Sequence, residues 1–273
     1  MHREDHAFDR AIALTRQSED WLGRTSPEYE NLLGQFGGVL AAVAMRAVLD
    51  DPARQGEPIA LTVNFAAALS DGDYAVTARA TRTNRSTQHW SVEIVQGGQI
   101  AATATVVCAV RRETWAALDL EFPQVPPADD IVPAESTPGL PPFFANYDLR
   151  VVRGGSGPFL QHEVFPGDTE VTMLWIRDRP ARHLDYPSLA AICDIFFPRI
   201  FVRRQRPAAI ATVSLTVYFH AGADELEAVQ DRSVLGVARA TRFTRGYYEQ
   251  RGEVWSERGE LLATTTQLVY YKE

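Results

Sequence analysis

The chain contains an internal repeat, and this feature restricts its possible folds more than any other. Three pairs of segments align in the same order: PIALTVNF (58–65) with TVSLTVYF (212–219), TARATR (77–82) with VARATR (237–242), and GGQIAATATV (97–106) with RGELLATTTQ (258–267). Upstream, LAAVAM (40–45) aligns with LAAICD (189–194), so the shift between aligned positions grows only from about 149 to about 161 residues along the chain, as short loop insertions would produce. A single long repeat of this kind indicates a duplicated domain and not a solenoid of short repeats.

A segment rich in proline and acidic residues separates the two copies. It reads FPQVPPADDIVPAESTPGLPPFF, and it cannot form a regular helix or a central strand because proline lacks the backbone N–H that both require. We therefore predict an N-terminal unit at 1–119, a linker at 120–142 and a C-terminal unit at 143–273.

In each copy a single helix is predicted to precede a series of strands. Start signals at Asp185 and Pro187 predict a second-copy helix that runs to about Pro198. In the first copy, a helix from about 39 to 49 follows a pair of glycines. Segments rich in β-branched and aromatic residues then predict four long strands per copy: IALTVNFAAAL, YAVTARATRT, HWSVEIVQ and QIAATATVVCAV, then IATVSLTVYF, SVLGVARATRF, YYEQRGEVWSE and ELLATTTQLVYY.

The second-copy helix is apolar on every side. Its apolar residues are Leu189, Ile192, Cys193, Phe196 and Ile200 on one face and Ala190, Ala191 and Ile195 on the other. A helix that is apolar all round is buried, and only the strands are available to surround it. We therefore predict an α+β fold in which a curved antiparallel sheet wraps a central helix. This is the hotdog arrangement, and two fused copies form a double hotdog.

Charge, cysteine usage and targeting signals exclude several classes of function. The net charge of −8 and the pI near 5.3 provide no basic surface for nucleic acid. Cys108 and Cys193 stand among apolar or small residues, which is typical of reduced, buried thiols. The charged N-terminus has no signal-peptide core, and no apolar run reaches the ~20 residues of a membrane span. We expect a soluble cytoplasmic protein whose partners are small molecules or other proteins.

Two common kinds of catalytic site lack support in the sequence. Of the six histidines, His89, His162, His183 and His220 do not have metal-site spacing relative to carboxylates or cysteines, so no metal is expected. No G-x-S-x-G segment occurs, so a Ser-His-Asp hydrolase has no support either.

The most informative difference between the copies is a set of polar residues found only in the second. LAAICD aligns with LAAVAM, and the full alignment places Asp194, Thr212 and Gln267 where the first copy has Met45, Pro58 and Val106. A role that every fold unit needs would appear in both copies. The asymmetry therefore predicts one site, carried by the second copy, with the first copy contributing a wall.

The chain resembles the acyl-CoA thioesterase II group of double-hotdog thioesterases over both halves. The segments that carry this resemblance most clearly are HLDYPSLAAICDIFFP, AAIATVSLTVYFH and GELLATTTQLVYY. In that family a helix Asp, a Thr within an IAT segment and a Gln near the end of the last strand hold and activate a water that attacks a thioester carbonyl. The resemblance implies that Asp194, Thr212 and Gln267 are the corresponding residues here.

The chemistry of these side chains agrees with the implied role. Burial raises the pKa of a carboxyl group, which makes it a better base near neutral pH. The Gln267 amide can both donate and accept hydrogen bonds, as can the Thr212 hydroxyl. Unpaired backbone N–H groups at a helix start can stabilise an oxyanion, so Gly37 and Gly38 of the opposing copy are candidate donors. Asp185, which precedes Pro187, is predicted to be a helix N-cap.

The resemblance also implies partners. The substrate would be an acyl-CoA or another acyl thioester of fatty acid metabolism, with CoA present only as part of the substrate and no other cofactor. Arg203, Arg204 and Arg206 cluster beyond the second-copy helix and are candidates for contacts with CoA phosphates, although a solvated face is the simpler interpretation. Because hotdog sheets commonly pair edge to edge, we also expect a homo-oligomer.

Two other functions fit the same fold. A hotdog hydratase or dehydratase acting on acyl-CoA would need an acid/base pair, usually with a His beside the Asp, and His220 is the candidate that could approach Asp194 in space. A non-enzymatic double hotdog would instead bind an acyl ligand or a partner protein. Release of free CoA from an acyl-CoA distinguishes the hydrolase from both.

Overall fold

The dominant element of the fold is one large antiparallel sheet. The computed structural model describes residues 6–134, 139–154, 170–204 and 208–272. Its strands are β1 (Thr15–Gln17), β2 (Asp20–Arg24), β3 (Glu30–Asn31), β4 (Gly34–Gln35), β5 (Glu57–Phe65), β6 (Asp73–Thr83), β7 (Thr87–Gln96), β8 (Gln99–Ala109), β9 (Tyr147–Arg153), β10 (Val171–Asp178), β11 (Ala209–Phe219), β12 (Val234–Thr244), β13 (Tyr247–Trp255) and β14 (Leu261–Lys272). In the described residues, twelve strands form the sheet in the order β1-β2-β6-β7-β8-β5-β11-β14-β13-β12-β10-β9, and β3 and β4 form a separate hairpin.

The two halves of the sheet repeat each other and meet at the pairing of β5 with β11. The order β6-β7-β8-β5 in the first half corresponds to β12-β13-β14-β11 in the second. At the junction, Thr62 pairs with Thr216, and their hydroxyl oxygens lie 3.0 Å apart. These two threonines occupy equivalent positions of the repeated segments, so the junction lies on a pseudo-twofold axis. The predicted duplication is thus visible as two equivalent halves of one sheet.

Two helices occupy the inside of the sheet. The helices are α1 (Ala7–Ala11), α2 (Gly37–Leu49), α3 (Tyr186–Ile192), α4 (Arg199–Arg204) and α5 (Ala223–Val229). α2 packs against strands β5 to β8 and against α3, and all seven residues of α3 are buried. Burial on all sides is what the apolar composition of both helices requires. The double hotdog predicted from the sequence is therefore confirmed.

The end of the second-copy helix was predicted incorrectly. α3 ends at Ile192 and not near Pro198, and a turn separates it from α4. The helical hydrogen-bonding pattern changes there, because the N–H of Asp194 donates to the carbonyl of Ala191, three residues earlier, at 3.0 Å. In an α-helix the acceptor would be four residues earlier. Asp favours bonding of its side chain over continuation of a helix, and Pro198 disfavours helical geometry in the residue before it. Asp194 therefore lies just beyond the helix and not within it.

The predicted linker at 120–142 packs on the second half of the sheet. In β10, Leu174 and Ile176 face the helices, whereas Trp175 points to the opposite face, as the alternation of a strand requires. Trp175 packs there with residues of the linker segment, namely Phe122, Val125, Ala128 and Ile131. Its indole N–H donates to the carbonyl of Pro126 at 2.9 Å. The segment thus covers an apolar outer face that would otherwise meet water.

Candidate active site

Asp194 lies where the end of α3 meets the start of α2. The two helices approach so closely that a Cβ atom at Gly38 would lie 2.7 Å from the carbonyl oxygen of Ala191. A Cβ atom at Gly37 would lie 2.7 Å from Oδ2 of Asp194. The Gly-Gly pair of the first copy therefore lets a helix start from one copy approach the carboxylate carried by the other.

Two donors act on the Asp194 carboxylate. The side-chain Nε2 of Gln267, on β14, donates to Oδ1 at 2.5 Å. The backbone N–H of Gly38, at the positive end of α2, also favours the charged carboxylate. The Gly38 N–H, a predicted oxyanion donor, is thus directed at Asp194 itself.

The surroundings of Asp194 place its ionisation near neutral pH. Desolvation by burial raises the pKa of Asp194 to about 7, although the hydrogen bonds from Gly38 and Gln267 oppose this shift. A carboxyl group with a pKa in this range is substantially ionised at neutral pH and is still basic enough to take a proton from water. Its side chain is not closed off, because it forms part of the wall of a cavity.

Gln250, on β13, completes a chain of hydrogen bonds that the sequence analysis missed. Its Nε2 donates to Oε1 of Gln267 at 2.9 Å, and it is only 1% exposed. Gln250 stands opposite Gln267 in the sheet, as Trp90 stands opposite Val106 in the first half. Comparison of Gln250 with Trp90 across the repeat would have revealed a fourth polar residue specific to the second copy.

Thr212 lines the same cavity as Asp194 and Gln267. It lies on β11 at a β-bulge between Thr212 and Ser214. The first copy has a bulge at the equivalent place, between Pro58 and Ala60, which supports the alignment of Thr212 with Pro58. In the described part of the chain, the Thr212 hydroxyl has no hydrogen bond to Asp194 or Gln267. Thr212 therefore lines the cavity together with Asp194 but is not part of the amide chain.

The cavity has a volume of about 100 Å³ and is lined mainly by apolar residues, including seven aromatic rings. Four of them form a row that crosses from the first copy to the second: Phe36, Phe143, Phe144 and Phe197, with successive ring centroids 4.2, 4.3 and 6.3 Å apart. Asn31, at the end of β3, and Leu32, in the turn of the β3–β4 hairpin, form part of the wall. The polar chain of Asp194, Gln267 and Gln250 thus lies against a mostly apolar pocket.

Other candidate residues lie elsewhere. Arg203 and Arg204 are exposed at the end of α4, the helix whose Phe201 lines the cavity, and Arg206 falls outside the described residues. Asp185 is the N-cap of α3, as predicted, and accepts from the N–H of Ser188 at 3.0 Å. Both cysteines are free and buried.

The histidines do not contribute to the cavity wall in the described residues. His220 lies 3.0 Å from the hydroxyl of Thr264, through its Nε2, and His162 is outside the described ranges. Across residues 6–134, 139–154, 170–204 and 208–272, no cluster of three or more His, Cys, Asp or Glu could hold a metal ion. Within the same ranges, none of the helices is both long and apolar enough to cross a membrane.

The position of Gly37 leads to a test of the site by steric means. Gly37→Ala is expected to lower kcat/KM by about 10- to 100-fold, because the new Cβ would push the carboxylate out of position, and small displacements of catalytic groups are costly. Stability should fall by about 1 kcal/mol, because the displaced carboxylate weakens its hydrogen bond from Gln267, whereas alanine itself suits the first turn of a helix. Steady-state kinetics and thermal unfolding check both parts.

Gly222→Ala is the matched control for this substitution. Gly222 also stands at a helix start, but its added Cβ would come no nearer than 3.3 Å to another atom and lies away from the cavity. Wild-type kinetics in Gly37→Ala, or an equal loss in Gly222→Ala, would contradict the steric account.

Comparisons with known proteins agree with this architecture. Residues 25–109 match the model of the acyl-CoA thioesterase N-terminal domain, and residues 122–271 match the model of the acyl-CoA thioesterase C-terminal domain. No curated protein is significantly similar in sequence.

Three solved structures illustrate the similarity of the fold. A conserved hot dog protein of unknown function from Alicyclobacillus acidocaldarius is 43% identical, with 98% of each chain covered and a TM-score of 0.92. The acyl-CoA thioesterase II TesB2 of Mycobacterium marinum is 18% identical, with 97% of this chain and 98% of that chain covered and a TM-score of 0.75. The tesB protein of Mycobacterium avium subsp. paratuberculosis is 17% identical, with 97% and 98% covered and a TM-score of 0.77.

Proposed function

Since this chain belongs to the acyl-CoA thioesterase family, we propose that it hydrolyses the thioester bond of an acyl-CoA by attack of a water molecule that Asp194 activates. The observation that carries the proposal is the carboxylate itself. It stands at the wall of an apolar cavity, is held by Gln267 and Gly38, and has a pKa of about 7. The first copy, which lacks these polar side chains, supplies only the helix start and part of the wall.

In the proposed reaction, Asp194 removes one proton from water while the water oxygen forms a bond to the thioester carbonyl carbon. The carbonyl oxygen then carries the negative charge of a tetrahedral intermediate. The C–S bond breaks when this intermediate collapses, and the proton passes to the departing CoA sulfur. The products are the carboxylic acid and free CoA, and Asp194 returns to its charged form.

Thr212 is proposed to orient the water or the carbonyl oxygen. Thr212 lines the same cavity as Asp194, and its hydroxyl can both donate and accept hydrogen bonds. Gln267 has less freedom for this task, because its amide already contacts Asp194 and Gln250. Gln267 is therefore assigned to holding the base, and Thr212 to contacting the reacting atoms.

The rate should depend on pH through the ionisation of Asp194. Only the charged form accepts a proton, so kcat/KM is expected to be low at acidic pH and to rise to a plateau as the pH passes about 7. A pH–rate profile from pH 5 to pH 9 with one acyl-CoA measures this. A profile that is flat through pH 7, or one that falls as the pH rises, would exclude Asp194 as the base.

The small volume of the cavity favours short acyl groups. A cavity of roughly 150 Å³ accommodates benzene, and this one holds about 100 Å³ between aromatic rings. We expect kcat/KM to be highest for acyl chains of a few carbons and to fall with longer chains. A series from acetyl-CoA to palmitoyl-CoA, each followed with a thiol reagent that detects released CoA, measures this preference.

The same series tests the proposed function as a whole. Release of CoA from at least one acyl-CoA, catalysed by purified protein, supports a thioesterase. Binding of acyl-CoA without CoA release at any chain length would point to a binding module and overturn the proposal.

A further inference from the structure

The charged Asp194 determines which way the Gln267 amide faces. A carboxylate only accepts hydrogen bonds, so Gln267 must direct its NH₂ group at Asp194. The same nitrogen lies 3.4 Å from another acceptor, the carbonyl oxygen of Cys193. Both N–H bonds of Gln267 are therefore directed at acceptors, and its oxygen must face the other way.

Gln250 meets that oxygen with a donor. Its Nε2 lies 2.9 Å from Oε1 of Gln267, and both glutamines are almost completely buried, at 1% and 4% exposure. If the Gln267 amide rotated by 180°, its NH₂ would face the NH₂ of Gln250 and its oxygen would face the Asp194 carboxylate. With Gln250 in this orientation, the rotated amide of Gln267 is therefore disfavoured.

We propose that Gln250 is a positioning residue, which holds the Gln267 amide in the orientation that donates to Asp194 and so keeps Asp194 available as a base. The inference rests on the proposed function, in which Asp194 takes the proton from water. It also explains why the second half of the sheet carries a pair of glutamines where the first half has Trp90 and Val106. Without Gln250, the Gln267 amide could rotate. Its oxygen would then accept a hydrogen bond from the protonated carboxyl group of Asp194, which favours the neutral acid.

The other groups that face Asp194 stay neutral in the pH range of the test. Tyr147 on β9 and Tyr248 on β13 interact with Asp194, and burial raises the pKa of each above its ordinary value. Burial also raises the pKa of the neighbouring Cys193 thiol. Arg199 on α4 also faces Tyr248 and opposes the rise in the pKa of that tyrosine.

One buried acid near this region titrates independently. Asp178 on β10 acts on Tyr147, and burial raises the pKa of Asp178 to about 6. It does not line the cavity. The contribution of Asp178 cancels when the wild type is compared with Asp194→Asn, because Asp178 is present in both proteins.

The test compares Gln250→Leu, Gln250→Glu and a control, Thr265→Val. Thr265 lies two residues from Gln267 on the same strand and is also buried, but it is not at the cavity. In Gln250→Leu, the acidic limb of the kcat/KM profile should move up by about one pH unit, which lowers kcat/KM about tenfold on that limb. Gln250→Glu, which has nearly the same volume and only accepts hydrogen bonds in its charged form, should shift the limb further. Thr265→Val should follow the wild-type profile.

A second readout does not depend on activity. The difference in unfolding free energy between the wild type and Asp194→Asn, followed against pH, reports the pKa of Asp194 in the folded protein. The same difference measured in the Gln250→Leu and Gln250→Glu backgrounds should report a higher pKa. If neither variant shifts the acidic limb of the kcat/KM profile or the pKa of Asp194, the positioning role is overturned, even if kcat falls.

The two readouts separate the two claims. If Gln250 substitution raises the pKa of Asp194 in a protein that releases no CoA, the thioesterase function fails and the positioning role stands. If Asp194→Asn abolishes CoA release while Gln250 substitution leaves the pKa unchanged, the function stands and the positioning role fails.

Discussion

Asp194→Asn is expected to lower kcat for acyl-CoA hydrolysis by about 10²- to 10⁴-fold, the range that general acid–base catalysis supplies. The substitution keeps the size of the side chain and removes the group that accepts the proton. Its effect should be larger than that of any other single substitution at the site, because Gln267 and Gly38 act only through this carboxylate. Steady-state release of CoA, with the acyl-CoA that the wild type prefers, measures the loss.

The same substitution should not destabilise the protein at pH 8. The folded-state pKa of Asp194 is raised from 3.8 to about 7, so the folded protein binds a proton more tightly than the unfolded chain. The contribution of Asp194 to stability is therefore present below about pH 4 and is lost as the pH rises towards 7. Asp194→Asn removes this buried charge at the cost of one altered hydrogen bond, about 1 kcal/mol. Urea unfolding at pH 8 should give a stability equal to or above that of the wild type.

Asp178→Asn is the matched control for this result. Asp178 is another buried carboxyl group with a raised pKa, but its Oδ2 accepts from the Ser188 hydroxyl at 2.7 Å and it does not line the cavity. Its substitution should leave kcat close to the wild-type value. Equal losses in the two variants would mean that activity follows general stability and not the Asp194 carboxylate.

Gln267→Leu should have the second largest effect. It removes the side-chain donor to Asp194 and leaves the buried Nε2 of Gln250 without its partner. We expect kcat/KM to fall about 10²-fold at neutral pH, since the pKa of Asp194 rises further and the carboxylate loses its anchor. The unpaired amide should cost about 1–3 kcal/mol of unfolding free energy. Kinetics at pH 7 and pH 9, together with urea unfolding, measure these effects.

Two features distinguish this prediction from simple loss of stability. Part of the activity of Gln267→Leu should return at pH 9, where Asp194 is charged despite its higher pKa. Thr265→Val, which removes a buried hydroxyl from the same strand, should show no such dependence. A loss of kcat/KM in Gln267→Leu that is the same at both pH values would contradict the assignment of Gln267 as the donor that stabilises the charged carboxylate.

The fold could be predicted from the sequence because both of its determinants are local patterns. The repeat is visible in segments such as LTVNF and LTVYF, and the apolar character of the helices requires a surrounding sheet. The helix end was harder, since apolar residues continue to Phe197 while the backbone turns at Asp194. Hydrophobicity predicts burial there equally well for a helix and for a turn, so the pattern alone could not locate the end.

The candidate site was predictable where a family motif coincides with a difference between the two copies. Asp194, Thr212 and Gln267 were assigned by the resemblance to the thioesterase family and are absent from the first copy, and the structure brings all three to one cavity. Gln250 was missed because its significance depends on its partner across the sheet, and register is a property of strand pairing. The contact of Gly38 with Asp194 joins residues of different copies, which no comparison of equivalent positions can show.

The central claim is that Asp194 activates the water that hydrolyses an acyl-CoA. The most direct test is a single turnover in ¹⁸O-labelled water, with the wild type and Asp194→Asn in excess over the acyl-CoA that the wild type prefers. The account predicts that the wild type releases CoA and an acid carrying one ¹⁸O atom, whereas Asp194→Asn releases neither on the same time scale. Release at the wild-type rate by Asp194→Asn, or an unlabelled acid from the first turnover of the wild type, would contradict it.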